Sequence, residues 1–381
     1  MKRITAALVF LIAIVSCTSK KDLSELLKGE TEIEVYPQKE LPTVLVENKL
    51  AAQLLIFLHN RIDEESILEN LSIGKTEFDR LINSLFAEGL IKRKDDGTFI
   101  PACMVAGYED EIAIDKFITK MSADVISLIA QQLPSIKKSF GRIDSFSNLS
   151  FEEVAFFILY NVMLAKWQIK NIEERFIRAE PTQRITDRYY LLLRQINSDT
   201  TGIDKWAVNR SIEMNGYYFC SFGRMSKENN LFDAGADQLI RDFGMSQSAD
   251  PLGFKKELLG DLVRFYNGEL STANPSYTAG LNKYGILRNS QLKLQFISSQ
   301  DNLRLYEMAG IISESLVGYL DKQRPVFVKE YLQSKYKEEI NFREWVFWIY
   351  NFIAAKAGRN MTDKGIAAVN NDEIFHYLIM K

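Results

Sequence analysis

One apolar segment is written twice in this chain, and that repetition constrains the fold more than any other feature. Residues 149–166 read LSFEEVAFFILYNVMLAK, and residues 340–356 read INFREWVFWIYNFIAAK. Each copy opens with a helix start signal. Ser150 is a good N-cap with Glu153 three residues on, the pattern of a capping box. Asn341 and Glu344 hold the same two positions in the second copy, and asparagine caps as well as serine does. Apolar side chains then run almost all the way round: Val154, Phe156, Phe157, Ile158, Val162, Met163 and Leu164 in one, Trp345, Val346, Phe347, Trp348, Ile349, Phe352 and Ile353 in the other. A helix apolar on every side belongs in a core. At about 17 residues with carboxylates at its start, it is a poor membrane span.

Both copies sit in a longer register. At an offset of 191 residues, Gly89-Leu90 matches Gly280-Leu281 and Lys92 matches Lys283. Asp110, Ser122, Gln132, Pro134 and Lys138 match Asp301, Ser313, Gln323, Pro325 and Lys329, and Phe151 and Glu153 match Phe342 and Glu344. One residue is then dropped. Phe157, Tyr160, Asn161, Ala165 and Lys166 match Phe347, Tyr350, Asn351, Ala355 and Lys356, and Arg188-Tyr189-Tyr190-Leu191 resembles Phe375-His376-Tyr377-Leu378. Repeats of about 145–150 residues are too long for a solenoid. The register predicts a duplicated domain, 49–194 and 236–381, joined by an unrepeated segment, 195–235.

Within the first half, Leu50–His59 reads as an apolar helix. Ile67, Leu68 and Leu71 follow, and then Phe78, Leu81, Ile82 and Leu85 at helical spacing. Gly89-Leu90-Ile91 closes that helix, and Asp96-Gly97 signals a hairpin. This order over about residues 49–105 resembles the winged-helix family. Residues 108–194 read as a second unit of that kind: a helix from Asp110 to Gln132, another begun by Pro134, the Ser150 helix, and wing strands at Phe176–Ala179 and Tyr189–Leu193. The expected fold class is therefore mainly α with small β-hairpins (α+β), in tandem winged-helix-like units at 49–107, 108–194, 236–298 and 299–381. Thr18 to about Asn48, with Pro37 and Pro42, reads as a tether carrying a short strand at Glu32–Tyr36.

The first residues point to a destination. Lys2 and Arg3 precede a short apolar run, Ala6–Val15, and Ile14-Val15-Ser16-Cys17 follows. That run resembles the bacterial lipobox. The resemblance implies that residues 1–16 are a signal peptide, that Cys17 becomes the lipidated (palmitate-bearing) first residue, and that the chain is anchored to a membrane. Thr18 after the cysteine favours the outer membrane of a Gram-negative cell. Cys103 and Cys220 remain, expected as buried free thiols.

Composition removes several function classes. Lys and Arg number 47 against 50 Asp and Glu, a net charge of −3, so nucleic acid is not an expected partner. The run Lys92-Arg93-Lys94 is read as a solvated turn. His59 and His376 are the only histidines and lie in apolar contexts, so both are read as structural. No HExxH, zinc spacing, phosphate loop or GxSxG is present. Thr76 and Asp79 are read as a helix cap. Catalytic residues, metal ligands and cofactors are all expected to be none. The reading is an envelope binding or scaffolding protein with a protein or glycan partner. Carboxylate pairs such as Glu109/Glu111 and Glu173/Glu174 leave a carboxylate-based envelope hydrolase as the alternative, with a DNA-binding regulator behind it. Recognition is expected in 195–235, where Trp206, Arg210, Tyr217, Tyr218 and Arg224 are residue types favoured at interfaces. Tyr217–Phe222 reads equally as a buried strand.

Overall fold

A computed structural model describes residues 23–27, 29–37, 42–184, 187–196, 208–214, 216–223, 230–232, 234–244, 250–267, 269, 275–289, 291–367 and 374–380. In chain order the elements of the first half are β1 (Glu30–Tyr36), α1 (Thr43–Glu47), α2 (Lys49–His59), α3 (Glu64–Leu71), α4 (Lys75–Ala87), β2 (Ile91–Arg93), β3 (Phe99–Pro101), β4 (Met104–Ala106), α5 (Tyr108–Phe140), α6 (Phe151–Phe156), α7 (Ile169–Ile172) and β5 (Tyr190–Ile196). There follow β6 (Val208–Met214), β7 (Tyr217–Gly223), α8 (Ala236–Phe243), α9 (Pro251–Tyr266), α10 (Pro275–Lys283), β8 (Leu287–Arg288), β9 (Gln291–Leu292), β10 (Leu294–Ile297), α11 (Ser299–Gln333), α12 (Tyr336–Glu339), α13 (Phe342–Asp363) and β11 (Phe375–Met380). The protein is mainly helical with small sheets.

Two compact units are present. One is built from described residues within Met1–Ala113, Glu180–Gly202 and Glu330–Trp345, and the other from those within Ile114–Ala179, Ile203–Lys329 and Val346–Lys381. Their boundaries fall inside α5, α11 and α13, so the compact units are not the sequence halves 49–194 and 236–381.

In the first unit, α2, α3 and α4 enclose Leu54, Leu55, Phe57, Ile67, Phe78, Leu81 and Leu85, packed with Leu191 and Leu193 of β5. Asp63 caps α3 by accepting from the Ser66 amide at 2.9 Å. Thr76 and Asp79 do not cap α4, because the helix begins earlier, after Gly74. Asp79 instead pairs with Lys75 at 2.9 Å, one turn back. Gly89, with φ +68°, reverses the chain after α4, and Gly97, with φ +89°, turns the β2–β3 hairpin. The basic run is thus largely strand rather than turn: Lys92 and Arg93 belong to β2, and Lys94 pairs with Glu338 at 3.1 Å. β1 lies antiparallel to β5, which runs parallel to β4. Residues 30–36 are therefore a strand of this unit's sheet rather than part of a tether.

The second unit repeats this layout. Helices α8, α9 and α10 bury Leu239, Phe243, Leu258, Leu262, Leu281 and Tyr284 against Phe219 and Leu378. The β8–β9 hairpin follows, and then β10, which runs parallel to β11; β11 in turn pairs antiparallel with β7. β7 thus holds the position in its sheet that β1 holds in the other, and β6 is added at its edge. The strand reading of Tyr217–Phe222 therefore holds.

The two layouts correct the sequence register in places. Gly285, with φ +72°, is the glycine that follows α10 as Gly89 follows α4. Gly280 lies inside α10, where a Cβ would overlap the Phe243 ring. In the sheets, Met104 pairs with Leu192 and Gln295 pairs with Tyr377. Leu192, not Tyr190, is thus the counterpart of Tyr377. The two-residue slip leaves the pattern unchanged, because side chains alternate with period two.

Pro134 and Pro325 do not begin helices; each lies inside a long one, α5 or α11. An internal proline costs a helix about 3 kcal/mol. In α5 a continuous buried face of Ile126, Ile129 and Ile136 offsets that. Phe176–Ala179 is no wing strand either: Glu173–Ile177 is a π-helix, ended by Arg178 at φ +58°. Ile169, Ile172 and Phe176 are buried at helical spacing, and that face decides the conformation.

The twice-written segment differs between its copies. α13 runs unbroken over 22 residues. After α6 the first copy passes into a π-helix, Phe157–Val162, with Met163 N–H donating to Ile158 and Ala165 N–H to Tyr160, each at 3.0 Å. A π-turn spends one more residue than an α-turn. This is the residue that the second copy lacks.

Candidate functional site

Three buried charge clusters occupy the first unit. Arg184 donates to Glu344 at 2.8 Å and to the carbonyls of Gly89 and Ala102 at 3.0 and 2.7 Å. Glu344 also accepts from Thr182 at 2.5 Å and from the Leu191 amide at 3.3 Å. Burial pushes its carboxyl upward, against the pull of Arg184. Glu344 was expected to complete a capping box, as Glu153 does with Ser150. Asn341 does cap the Glu344 amide at 2.9 Å, but the Glu344 carboxylate turns instead to the buried guanidinium, the stronger donor. Arg194 and Glu111 form a second pair at 2.6 Å, both nearly inaccessible.

The third cluster surrounds His59, which ends α2. Its Nδ1 meets Glu339 at 2.7 Å and its Nε2 meets Asp110 at 3.1 Å. Lys335 approaches Asp110 at 3.2 Å, Arg61 approaches Glu339 at 2.7 Å, and the Tyr336 ring lies 5.4 Å from the imidazole. Burial opposes the charged imidazole, but hydrogen bonds to Asp110 and Glu339 outweigh it and hold His59 above its ordinary 6.5. A raised folded value stabilises the protein below the unfolded value, and that contribution is lost as pH rises through the folded one. Asp110 is lowered: the His59 bond overcomes its burial, so its contribution is lost on acidification. Stability of this unit is therefore expected to fall as pH rises above 6.5. The measurement is the urea midpoint against pH, and His59→Gln should flatten that alkaline limb.

The second unit holds a different arrangement, just beyond the π-helix. Lys166 Nζ lies 3.0 Å from Cys220 Sγ on β7 and 3.4 Å from the Tyr377 hydroxyl on β11. Its ammonium stands over the rings of Trp167 and Tyr377, at 5.3 and 5.1 Å. Asn161 Nδ2 donates to the same hydroxyl at 3.4 Å, while its buried Oδ1 finds no partner among the described residues. Burial pushes the Tyr377 phenol well above its ordinary value. Among the described residues no carboxylate pairs with Lys166. Its counterpart Lys356 pairs with Asp115 at 2.5 Å. π-turns are frequent at functional sites, and here one places a lysine against a thiol.

His376 is buried in β11, where it bonds Ser221 at 2.7 Å and the Tyr284 carbonyl at 2.8 Å, and burial lowers it to about 4. Cys103 and Cys220 are both buried free thiols. Cys17, Trp206 and Arg224 lie outside the described residues. Arg210 belongs to β6, with its backbone opposite Ser221. Tyr217 and Tyr218 are neighbours on β7, so they point to opposite faces of the sheet. Tyr217 packs on the unit's core, while Tyr218 is 36% exposed beside Ile379. The structure does not gather these two into one patch.

Arg184 and the Lys166–Cys220 contact were not singled out from sequence, and Glu344 was read there only as a capping residue. The repeated Lys166/Lys356 pair and the dropped residue were the available signals. No group of three or more His, Cys, Asp or Glu among the described residues is placed to hold a metal ion, and no described helix is long and apolar enough to cross a membrane. Comparison with known proteins gives no matching family model, no similar curated protein and no similar solved structure.

Proposed function

We propose that this protein is a lipid-anchored lipoprotein of the cell envelope, at the outer membrane, that binds or scaffolds a protein or glycan partner. The observation that carries the anchor is the order Lys2-Arg3, the apolar run and Ile14-Val15-Ser16-Cys17. What supports binding over hydrolysis is the use made of the buried carboxylates. Glu111, Glu339 and Glu344 are each engaged by an arginine or histidine inside the first unit, which leaves none of them available as a buried general acid. We further propose that α2–α4 with the β2–β3 hairpin, and α8–α10 with the β8–β9 hairpin, are winged-helix-like units of a duplicated chain. The shared strand order β4-β5-β1 and β10-β11-β7 supports that reading.

Replacing Cys17 with alanine is the test of the anchor. Membrane fractionation with acyl labelling should show the wild-type chain in the membrane fraction and labelled. The Cys17→Ala chain should be unlabelled and either soluble or unprocessed. Unchanged fractionation and labelling would remove the envelope assignment.

A further inference from the structure

We propose that Lys166 and Cys220 form a reversible covalent link when the thiol is oxidised by hydrogen peroxide. The proposal rests on the second unit alone and does not depend on where the protein resides. Three observations carry it. The amine nitrogen and the sulfur stand 3.0 Å apart, held by a π-turn on one side and a central strand on the other. Lys166 has no carboxylate among the described residues to engage it, unlike Lys356, so its amine is available to the sulfur. Cys220 is fully buried and Lys166 half-buried, so the amine is the nucleophile at hand and a bulky thiol cannot compete for the oxidised sulfur in the folded chain.

The chemistry takes two steps. The Cys220 thiol attacks hydrogen peroxide; the O–O bond breaks, the sulfur keeps one oxygen as the hydroxyl of a sulfenic acid, and the thiol proton leaves with the other oxygen as water. The sulfur is oxidised by two electrons and the peroxide is reduced. Lys166, after losing its ammonium proton to water, attacks that sulfur. The S–N bond forms, the S–O bond breaks, and the hydroxyl departs with an amine proton as water. The product is a sulfenamide, the condensation known for sulfenic acids with nitrogen nucleophiles. A thiol reductant reverses it once digestion or unfolding exposes the sulfur. Cys103 serves as an internal control: burial pushes its thiol up to about 12, and its sulfur faces the Leu90 carbonyl at 3.8 Å rather than an amine.

The experiment treats the full folded chain with hydrogen peroxide at mildly alkaline pH, then digests it under non-reducing conditions for peptide mass mapping. The expected result is one joined species, the Lys166 and Cys220 peptides lighter by two hydrogens than their sum, with Cys103 unmodified. Dithiothreitol should restore both peptides. The link should be lost in Cys220→Ser and in Lys166→Arg, which keeps the positive charge; circular dichroism checks that each variant is folded. Cys220 recovered as a free thiol or as sulfinic acid with Lys166 unmodified would overturn the proposal. So would a link that persists in Lys166→Arg, or one that retains an oxygen.

Discussion

Replacing Phe157 with alanine is expected to destabilise the second compact unit by about 3–5 kcal/mol, the range for removing a buried aromatic ring. Phe157 is 2% exposed, and five rings surround it: Phe375 at 4.4 Å, Tyr377 at 5.2 Å, Trp167 at 5.6 Å, Phe222 at 5.8 Å and Phe146 at 5.9 Å. These neighbours come from two strands and two connections, so no single movement can close the cavity. A chain with two compact units need not unfold in one step. The effect is therefore best read by segment-resolved hydrogen exchange, as loss of protection in β7 and β11. Protection equal to wild type there would show that the ring is not central to this core.

The second large effect is expected at Glu344. Glu344→Ala leaves the Arg184 guanidinium buried without its carboxylate, which costs about 3–5 kcal/mol. The side chains of both partners are at most 2% exposed. Solvent therefore screens the pair little, and the surface salt-bridge discount does not apply. Replacing the pair together, as Arg184→Met with Glu344→Leu, should recover much of the loss, because no unpaired charge remains. The four proteins make a double-mutant cycle, measured by urea midpoints. A single Glu344→Ala loss below about 1 kcal/mol, the range of exposed ion pairs, would show that water reaches the site.

The helical core was legible because its signals are local. Phe78, Leu81, Ile82 and Leu85 recur at helical spacing and are all buried, and Asp96-Gly97 makes the turn it suggests. The strand at residues 30–36 was legible, but its partner β5 was not, because nothing local to Glu32 names Arg194 across the sheet. Glu344 and Glu153 look alike in sequence, with the same cap three residues before them. What separates them is a guanidinium 160 residues away in the chain. The π-turn was visible only as a missing residue in its sister copy. Lys166 and Lys356 read as one repeated lysine until the fold set a thiol beside one and Asp115 beside the other.

The compact unit that begins the chain also fixes an order for synthesis. His59 is bonded to a glutamate 280 positions later, and Glu330–Trp345 belongs to the unit that Met1–Ala113 opens. As the polypeptide emerges, its first helices can form and collapse early. Arg184 must nevertheless wait for Glu344, 160 positions later, and His59, though Asp110 comes sooner, waits 280 positions for Glu339. A nascent or truncated chain ending before Tyr336 carries Arg184 and His59 with no Glu344 and no Glu339. Carboxylates made 160 and 280 positions downstream therefore neutralise charges laid down early.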